Sequence, residues 1–356
     1  MPSLFIDTER LRDLNSGLGQ VCLHLGRELI RQRPDGWTLT FLVPKGQQGI
    51  FGDDVSYVEA SWWRKIWLGG RYDVWHCLHQ DSIYLPVSPT KLILTIHDLN
   101  FLDRPDYPSV KKARKLSLLQ RKLSRVSALA AISEFTASVV GEHLNVSKHL
   151  PVRVIYNGNS LANLTIPVQE AASTIRTDQP FFLSVGVIHP KKNVHVLLPF
   201  LEAFPDYQLI LAGPDGHPYA QHVLEQAHKI GVADRLIMPG TVDEATKIWL
   251  YAHCEAFLFP SLSEGFGLPV VEAMSFGKPV FCSNLTSLPE IGGREAVYFT
   301  SFEPDDMVDT FRQGMMDYHD DPLKAERLRW QANRFSWEKA AKAYWALYQE
   351  VIEAPR

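Results

Sequence analysis

Short apolar runs alternate with helical patterns along most of these 356 residues, and nothing else in the sequence constrains the fold as strongly. A strand buried on both faces reads as an unbroken apolar run, and consecutive parallel strands need a crossover helix between them. One series of runs is Leu4–Ile6, Leu39–Val43, Val74–Cys77, Leu92–Ile96, Ala128–Ile132 and Val152–Ile155. A second is Phe181–Val185, Gln208–Ala212, Leu236–Met238, Ala256–Phe259, Val280–Cys282 and Val297–Phe299. Helical patterns lie between them at Leu18–Arg33, Phe135–Leu144, Val194–Ala203, Tyr219–Ile230 and Glu244–Ala252. The series break between Asn157-Gly158 and Gln179-Pro180, a polar stretch without periodicity, as expected of a linker. The expectation is an α/β protein with two doubly wound domains, residues 1–165 and 166–335. Ligands would bind at the carboxyl ends of the strands, in a cleft that the domains face. Residues 336–356 read as an amphipathic helix whose Trp337, Ala341, Tyr344, Trp345 and Tyr348 give it an aromatic face. A helix that apolar is expected to cross back and pack on the N-terminal domain.

The charge balance, 36 basic against 40 acidic residues, gives no signal for nucleic acid. Cys22, Cys77, Cys254 and Cys282 lie apart in apolar runs, without metal-ligand spacing, so buried thiols in a reducing compartment are the default. The N-terminus reads as a first strand, with neither the basic segment nor the long apolar core of a signal peptide. No run reaches the ~18 apolar residues of a membrane span. Asn-x-Ser/Thr sequons at Asn145, Asn163 and Asn284 carry no weight without a secretion signal. The expected location is the cytoplasm.

The chemistry concentrates in Ser263-Glu264-Gly265-Phe266-Gly267-Leu268-Pro269-Val270-Val271-Glu272. The apolar run before it places Glu264 at the carboxyl end of a strand, and Pro269 suits the first turn of a helix that carries Glu272. Backbone N–H groups of the glycine turn and helix start would face a ligand with hydroxyls and an anionic phosphate. A plainer reading makes Glu264 a cap on the following turn, although flanking glycines are unnecessary for that. A second cluster, Gly186 to Asn193, sets Lys191 and Lys192 after a glycine-containing turn, where two cations can neutralise a leaving diphosphate. Its plainer reading is a solvated helix start.

These motifs resemble the retaining glycosyltransferases of family GT4, which have the GT-B fold, and the resemblance runs over nearly the whole chain. It implies that Glu264 approaches the donor sugar and that Glu272 bonds the ribose hydroxyls. Gly265, Phe266, Gly267 and Leu268 would meet sugar and phosphate through their amides. The family's usual basic pair on the diphosphate is Arg-Lys; here it is Lys191-Lys192, which keeps the charge and loses the bidentate fork. The resemblance makes His97, in Thr95-Ile96-His97-Asp98, line the sugar pocket near the reacting carbon; otherwise it is a structural histidine at a strand end. Gly17 and Gly19 would form a glycine loop over the donor phosphate and acceptor, rather than a dinucleotide fingerprint, which Cys22 and the long spacing disfavour. Val242 falls in the segment that flanks the nucleobase, and acceptor recognition falls in Gly46–Asp54 and His79–Pro89. Ser133 is a plausible N-cap.

The implied reaction moves a sugar from a GDP-, UDP- or ADP-linked donor to a glycan or lipid-linked hydroxyl with retention, in bacterial surface polysaccharide or lipopolysaccharide assembly. His97, Glu264 and Lys192 would form the catalytic set. No Asp-x-Asp motif sits in a metal-site setting, so no metal or other cofactor is expected, and no carboxylate nucleophile stands out. Other readings are a sugar-nucleotide epimerase or phosphorylase on the same fold, or a non-catalytic nucleotide-sugar binder. Residues 111–125 hold seven basic residues and no acid, and Trp62-Trp63-Arg64-Lys65-Ile66-Trp67 mixes aromatics with cations. They read as either a solvated face or peripheral contact with an anionic membrane, at the inner face of the plasma membrane.

Overall fold

A computed structural model describes residues 1–62, 70–87, 90–103, 107–161, 175 and 179–354. It divides into two compact units, Met1–Ser160 with Phe335–Arg356, and Leu161–Arg334. Most of the expected linker, Asn163, and residues 63–67 of the tryptophan-rich stretch lie outside the described residues.

The first unit is a seven-stranded sheet of β1 (Ser3–Asp7), β2 (Thr38–Val43), β3 (Ser56–Glu59), β4 (Val74–Cys77), β5 (Lys91–Ile96), β6 (Ala128–Ala131) and β7 (Val152–Val154). The strand order is β3-β2-β1-β4-β5-β6-β7, and every pairing is parallel. Its helices are α1 (Gly17–Arg31), α2 (Ser109–Leu123) and α3 (Glu134–His143). Ser16 caps α1 by accepting from Gly19 N at 3.1 Å. Ser133 caps α3 from Thr136 N at 3.0 Å, as expected. The sequence reading misses β3. It is an edge strand, half-buried rather than apolar, so the signal of a two-faced buried run is absent.

The C-terminal helix, α11 (Trp337–Glu353), belongs to this unit. Its aromatic face shares a core with α1 and with β1, β2 and β4. Trp345 stands edge-on to Trp37, with centroids 5.1 Å apart, and donates its indole N–H to Leu29 O at 3.1 Å. Beneath it, buried His76 bonds Tyr348 at 2.7 Å and Thr95 at 2.8 Å, and Thr95 meets Tyr344 at 3.0 Å. The hydroxyls of Tyr344 and Tyr348 and both nitrogens of His76 are thereby paired, whereas the buried indole N–H of Trp337 has no partner among the described residues.

The second unit is a six-stranded sheet of β8 (Phe181–Val185), β9 (Gln208–Ala212), β10 (Leu236–Gly240), β11 (Ala256–Phe259), β12 (Val280–Ser283) and β13 (Val297–Phe299). Its order is β10-β9-β8-β11-β12-β13. It is again wholly parallel. Around it lie α4 (Leu198–Ala203), α5 (Pro218–Lys229), α6 (Glu244–His253), α7 (Leu268–Ser275), α8 (Leu288–Gly292), α9 (Pro304–Asp320) and α10 (Lys324–Ala332). The helix expected over Val194–Ala203 opens as a 3-10 turn, Val194–Leu197, behind Asn193 in a left-handed conformation. Both sheets are doubly wound, as the alternation requires. Among the described residues no helix is long and apolar enough to cross a membrane.

Candidate functional site

The expected residues are divided between the two units. In the second unit the strand order reverses between β8 and β11, the place where open α/β sheets take ligands at their carboxyl ends. Gly186 follows β8 with φ +143°, and the chain turns through Pro190–Lys192 in a 3-10 turn. Lys192 is buried and donates to Glu264 Oε1. Its ammonium also lies 4.6 Å from the centroid of Phe259, at the end of β11. Ser261 Oγ donates to the same carboxylate oxygen at 2.5 Å. The loops are tied through Lys191 O, which accepts from Leu262 N at 2.7 Å and lies 3.2 Å from Ser261 Oγ.

Burial is the largest influence on Glu264 and pushes its pKa up. The Lys192 and Lys191 charges, with the hydrogen bonds from Lys192 and Ser261, outweigh it and hold the carboxyl below the usual range. Burial lowers Lys192, and Glu264 opposes that. The pair is therefore an ionised couple with little water around it. Glu264 N donates to Thr286 Oγ1 at 3.1 Å, and Ser287 Oγ shares its one proton between the carbonyls of Glu264 and Phe266, each at 3.0 Å.

Gly267 caps α7 with φ +106°. This left-handed conformation favours glycine, and a Cβ there would come within 2.7 Å of the end of the Leu288 side chain. In the first turn of α7 Pro269 has no N–H and Val270 N donates to Gly267 O at 3.0 Å, so by position Leu268 carries the N–H without an intrahelical acceptor. Glu272 sits within α7 and is buried. Lys247 meets one of its oxygens at 3.2 Å, and Tyr251 donates to the other at 2.8 Å. Each oxygen keeps a lone pair for a further donor. Glu264 and Glu272 thus belong to separate hydrogen-bonded groups. Val242 is half-buried in the loop before α6, where Asp243 caps the helix from Thr246 N at 2.7 Å.

Sequence reasoning misses Ser261, Lys247, Tyr251, Thr286 and Ser287. Lys247 and Tyr251 stand four apart, hence on one face of α6, but nothing local says that this face meets Glu272.

In the first unit His97 follows β5 and is buried. Its Nε2 lies 2.7 Å from Leu78 O. A carbonyl only accepts, so Nε2 carries the proton. Burial lowers its pKa to about 4, leaving a neutral ring with Nδ1 as an acceptor. Gln80 braces this loop, accepting from His97 N at 3.1 Å and donating to Asp98 O at 2.9 Å. Gly17 opens α1 and is exposed. Gly19 is buried, and a Cβ on it would lie 2.0 Å from Asp13 O, so close packing of the preceding loop already requires its glycine.

The basic segment is α2. Leu119 and Leu123 face the core. Three of its neighbourhood's cations are spent on carbonyls: Lys112 on Leu102 at 2.5 Å, Lys122 on Gln80 and Ser82 at 2.5 and 2.6 Å, and Arg125 on Pro86 at 2.5 Å. Val110, Lys111, Arg114, Leu118 and Arg121 remain exposed.

The family model described as "Glycosyl transferases group 1" matches residues 166–334. The O-antigen chain mannosyltransferase B of Escherichia coli is 30% identical over 273 residues, which cover 73% of this chain and 70% of that protein. The serotype-specific mannosyltransferase WbdA of Escherichia coli is 29% identical over 74% of this chain, but the match spans only 34% of WbdA. Among solved structures, sucrose-phosphate synthase from Thermosynechococcus elongatus superposes with a TM-score of 0.74 at 16% identity, covering 100% of both chains. Anabaena HepE in complex with UDP and glucose gives 0.72 at 18% identity, covering 98% of this chain and 99% of that one. At such identities the structural likeness speaks for the fold.

Proposed function

The chain belongs to the glycosyl transferases group 1, GT4-type enzymes of GT-B fold, and on that premise we propose that it transfers a mannosyl group from a nucleoside-diphosphate sugar to a glycan or lipid-linked hydroxyl, with retention. The observation that carries this reading is the buried Lys192–Glu264 couple at the β8/β11 switch point. A diphosphate there meets a dehydrated ammonium, whose attraction is stronger than in water. Lys191 and the Leu268 N–H at the start of α7 add to it, and Glu264 stands by to accept from sugar hydroxyls as Lys192 turns to the phosphate. Glu272, oriented by Lys247 and Tyr251, takes the ribose hydroxyls. Gly186 and Val242 border the nucleotide, and Gly265 to Leu268 border the sugar phosphate.

The second unit is thus the donor-binding half. The first unit takes the acceptor, with His97 presenting Nδ1 and Gly17 and Gly19 at the start of α1. The mannosyl assignment and a place in O-antigen or lipopolysaccharide assembly follow the names of the relatives. In this scheme the departing phosphate helps to deprotonate the acceptor on the same face.

The test is a donor screen: GDP-mannose, UDP-glucose and ADP-glucose with a lipid-linked oligosaccharide acceptor, and the anomeric configuration of the product read by NMR. Transfer from GDP-mannose with an α-linked product is expected. Isomerised donor without acceptor would make the protein an epimerase, sugar phosphate formed from glycan and inorganic phosphate a phosphorylase, and binding without turnover a non-catalytic binder. The outer face of α2, with Val110, Arg114, Leu118 and Arg121 at helical spacing, supports contact with an anionic membrane. Flotation with phosphatidylglycerol vesicles, and none with phosphatidylcholine alone, is the expected result; equal flotation removes the membrane from the scheme.

A further inference from the structure

The strand order of the first unit reverses between β1 and β4, the counterpart of the switch point that holds Lys192 and Glu264 in the second. Two side-chain bonds cross this point. Ser82 donates to Asp7, and Arg10 Nε donates to His79 Nε2 at 3.3 Å. His79 is 3% exposed. Because a guanidinium only donates, Nε2 holds the lone pair and the imidazole proton sits on Nδ1. That Nδ1–H is buried with no partner among the described residues, an expensive state for a polar group.

Neighbouring groups are already engaged. Asp7 takes the Ser82 hydroxyl and, at 3.0 Å, Glu9 N. Glu9 pairs with Arg12 at 3.0 Å, and Lys122 is held by two carbonyls. Arg10 uses Nε alone, and its two η nitrogens make no hydrogen bond or ion pair among the described residues. What Arg10 and His79 themselves leave open among the described residues is therefore donors only, one of them a permanent cation.

We propose that Arg10 and His79 form an oxyanion subsite for an acidic substituent, carboxylate or phosphoryl, of the acceptor glycan. This rests on the reading of the first unit as the acceptor half. An oxyanion drawn to the guanidinium arrives beside the ring that Arg10 touches. Charge-assisted bonds from planar donors are the strong kind, and a neutral saccharide would leave the guanidinium half-used. The subsite would select acidic acceptors over neutral ones.

The experiment uses the full chain labelled with 15N-histidine. It is titrated with methyl α-D-glucuronide, mannose 6-phosphate and methyl α-D-mannoside. The free protein should show His79 as the Nδ1–H tautomer, and one or both acids should shift that resonance while the neutral glycoside does not. Which acid acts distinguishes carboxylate from phosphoryl. Arg10→Met and His79→Phe should each weaken the response to the acid about tenfold or more, and Arg10→Lys should keep part of it. Should Arg10→Met misfold, the wild-type comparison of acid against neutral glycoside still decides. Equal response to the neutral glycoside, a proton on Nε2, or unchanged affinity in the variants overturns the proposal. GDP and UDP thermal shifts in the same proteins separate the two readings. The variants should keep them, and loss in Arg10→Met would move the subsite to the donor and overturn the acceptor assignment. A wild-type protein that answers to no nucleotide counts against the transferase reading, whereas the anion response at His79 stands or falls by itself.

Discussion

Lys192 and Glu264 stand 72 residues apart in sequence and share one ion pair with little water around it. Removing one partner of such a pair leaves a buried charge, at a cost of about 3–5 kcal/mol. Lys192→Met is therefore expected to lower the melting temperature and to reduce kcat by two orders of magnitude or more. Adding Glu264→Gln should restore much of the melting temperature and none of the activity; stability and turnover measured on the same preparations check this. Tyr251 is a subtler case. Tyr251→Phe leaves Glu272 with Lys247 alone, and an increase in the donor KM of about tenfold with kcat nearly unchanged is expected if Glu272 serves binding. The two glutamates and two lysines were legible in the sequence because glycine, proline and charge stand close together in each of two loops, Gly186 to Asn193 and Ser263 to Glu272. Their supporters, Ser261, Lys247 and Tyr251, were not. Lys247 and Tyr251 reach Glu272 from a different helix, which no local spacing encodes, and Ser261, although only three residues from Glu264, carries no pattern that marks it as a donor to that carboxylate.

Among the elements, α11 shows how a sequence pattern can announce a contact without naming the partner. Its aromatic face requires burial somewhere, and the packing against α1 and the sheet of the first unit supplies it. The polar tips beneath it fix its rotation: His76 between Tyr348 and Thr95, and Thr95 with Tyr344. Tyr348→Phe should cost about 1–3 kcal/mol, since a buried imidazole nitrogen loses its partner. Chemical denaturation of the full chain, followed by a probe in the first unit, measures it. Edge strand β3 is the converse. Half-exposed and short, it is defined by pairing with β2, and its sequence holds no apolar run to give it away.

On the scale of the whole molecule, acid should act first on the first unit. Burial lowers His76 to about 3, His79 to about 2 and His97 to about 4. The unfolded chain therefore binds more protons at these sites below the ordinary histidine value of 6.5, and the stability they confer is present above that value and lost as pH falls. Asp7, raised to about 6 by burial, has the opposite sign, because the folded state holds its proton where the unfolded chain has released it. Three histidines against one carboxyl leave up to two protons, or roughly 2.7 kcal/mol per pH unit between pH 6 and 4.5. Denaturation followed separately in each unit over that range should show the first failing earlier, and a flat profile would contradict the assignment. The sequence by itself determined two doubly wound α/β units, an amphipathic last helix and the loops that carry charge, because periodicity and turn chemistry are local properties. Only the tertiary structure decided that Lys192 neutralises Glu264, that α11 completes the first unit, and that His79 is left with an N–H and no acceptor among the described residues. Those facts depend on which strand lies beside which, and sheet order is fixed by the packing of the whole chain rather than by any stretch of it.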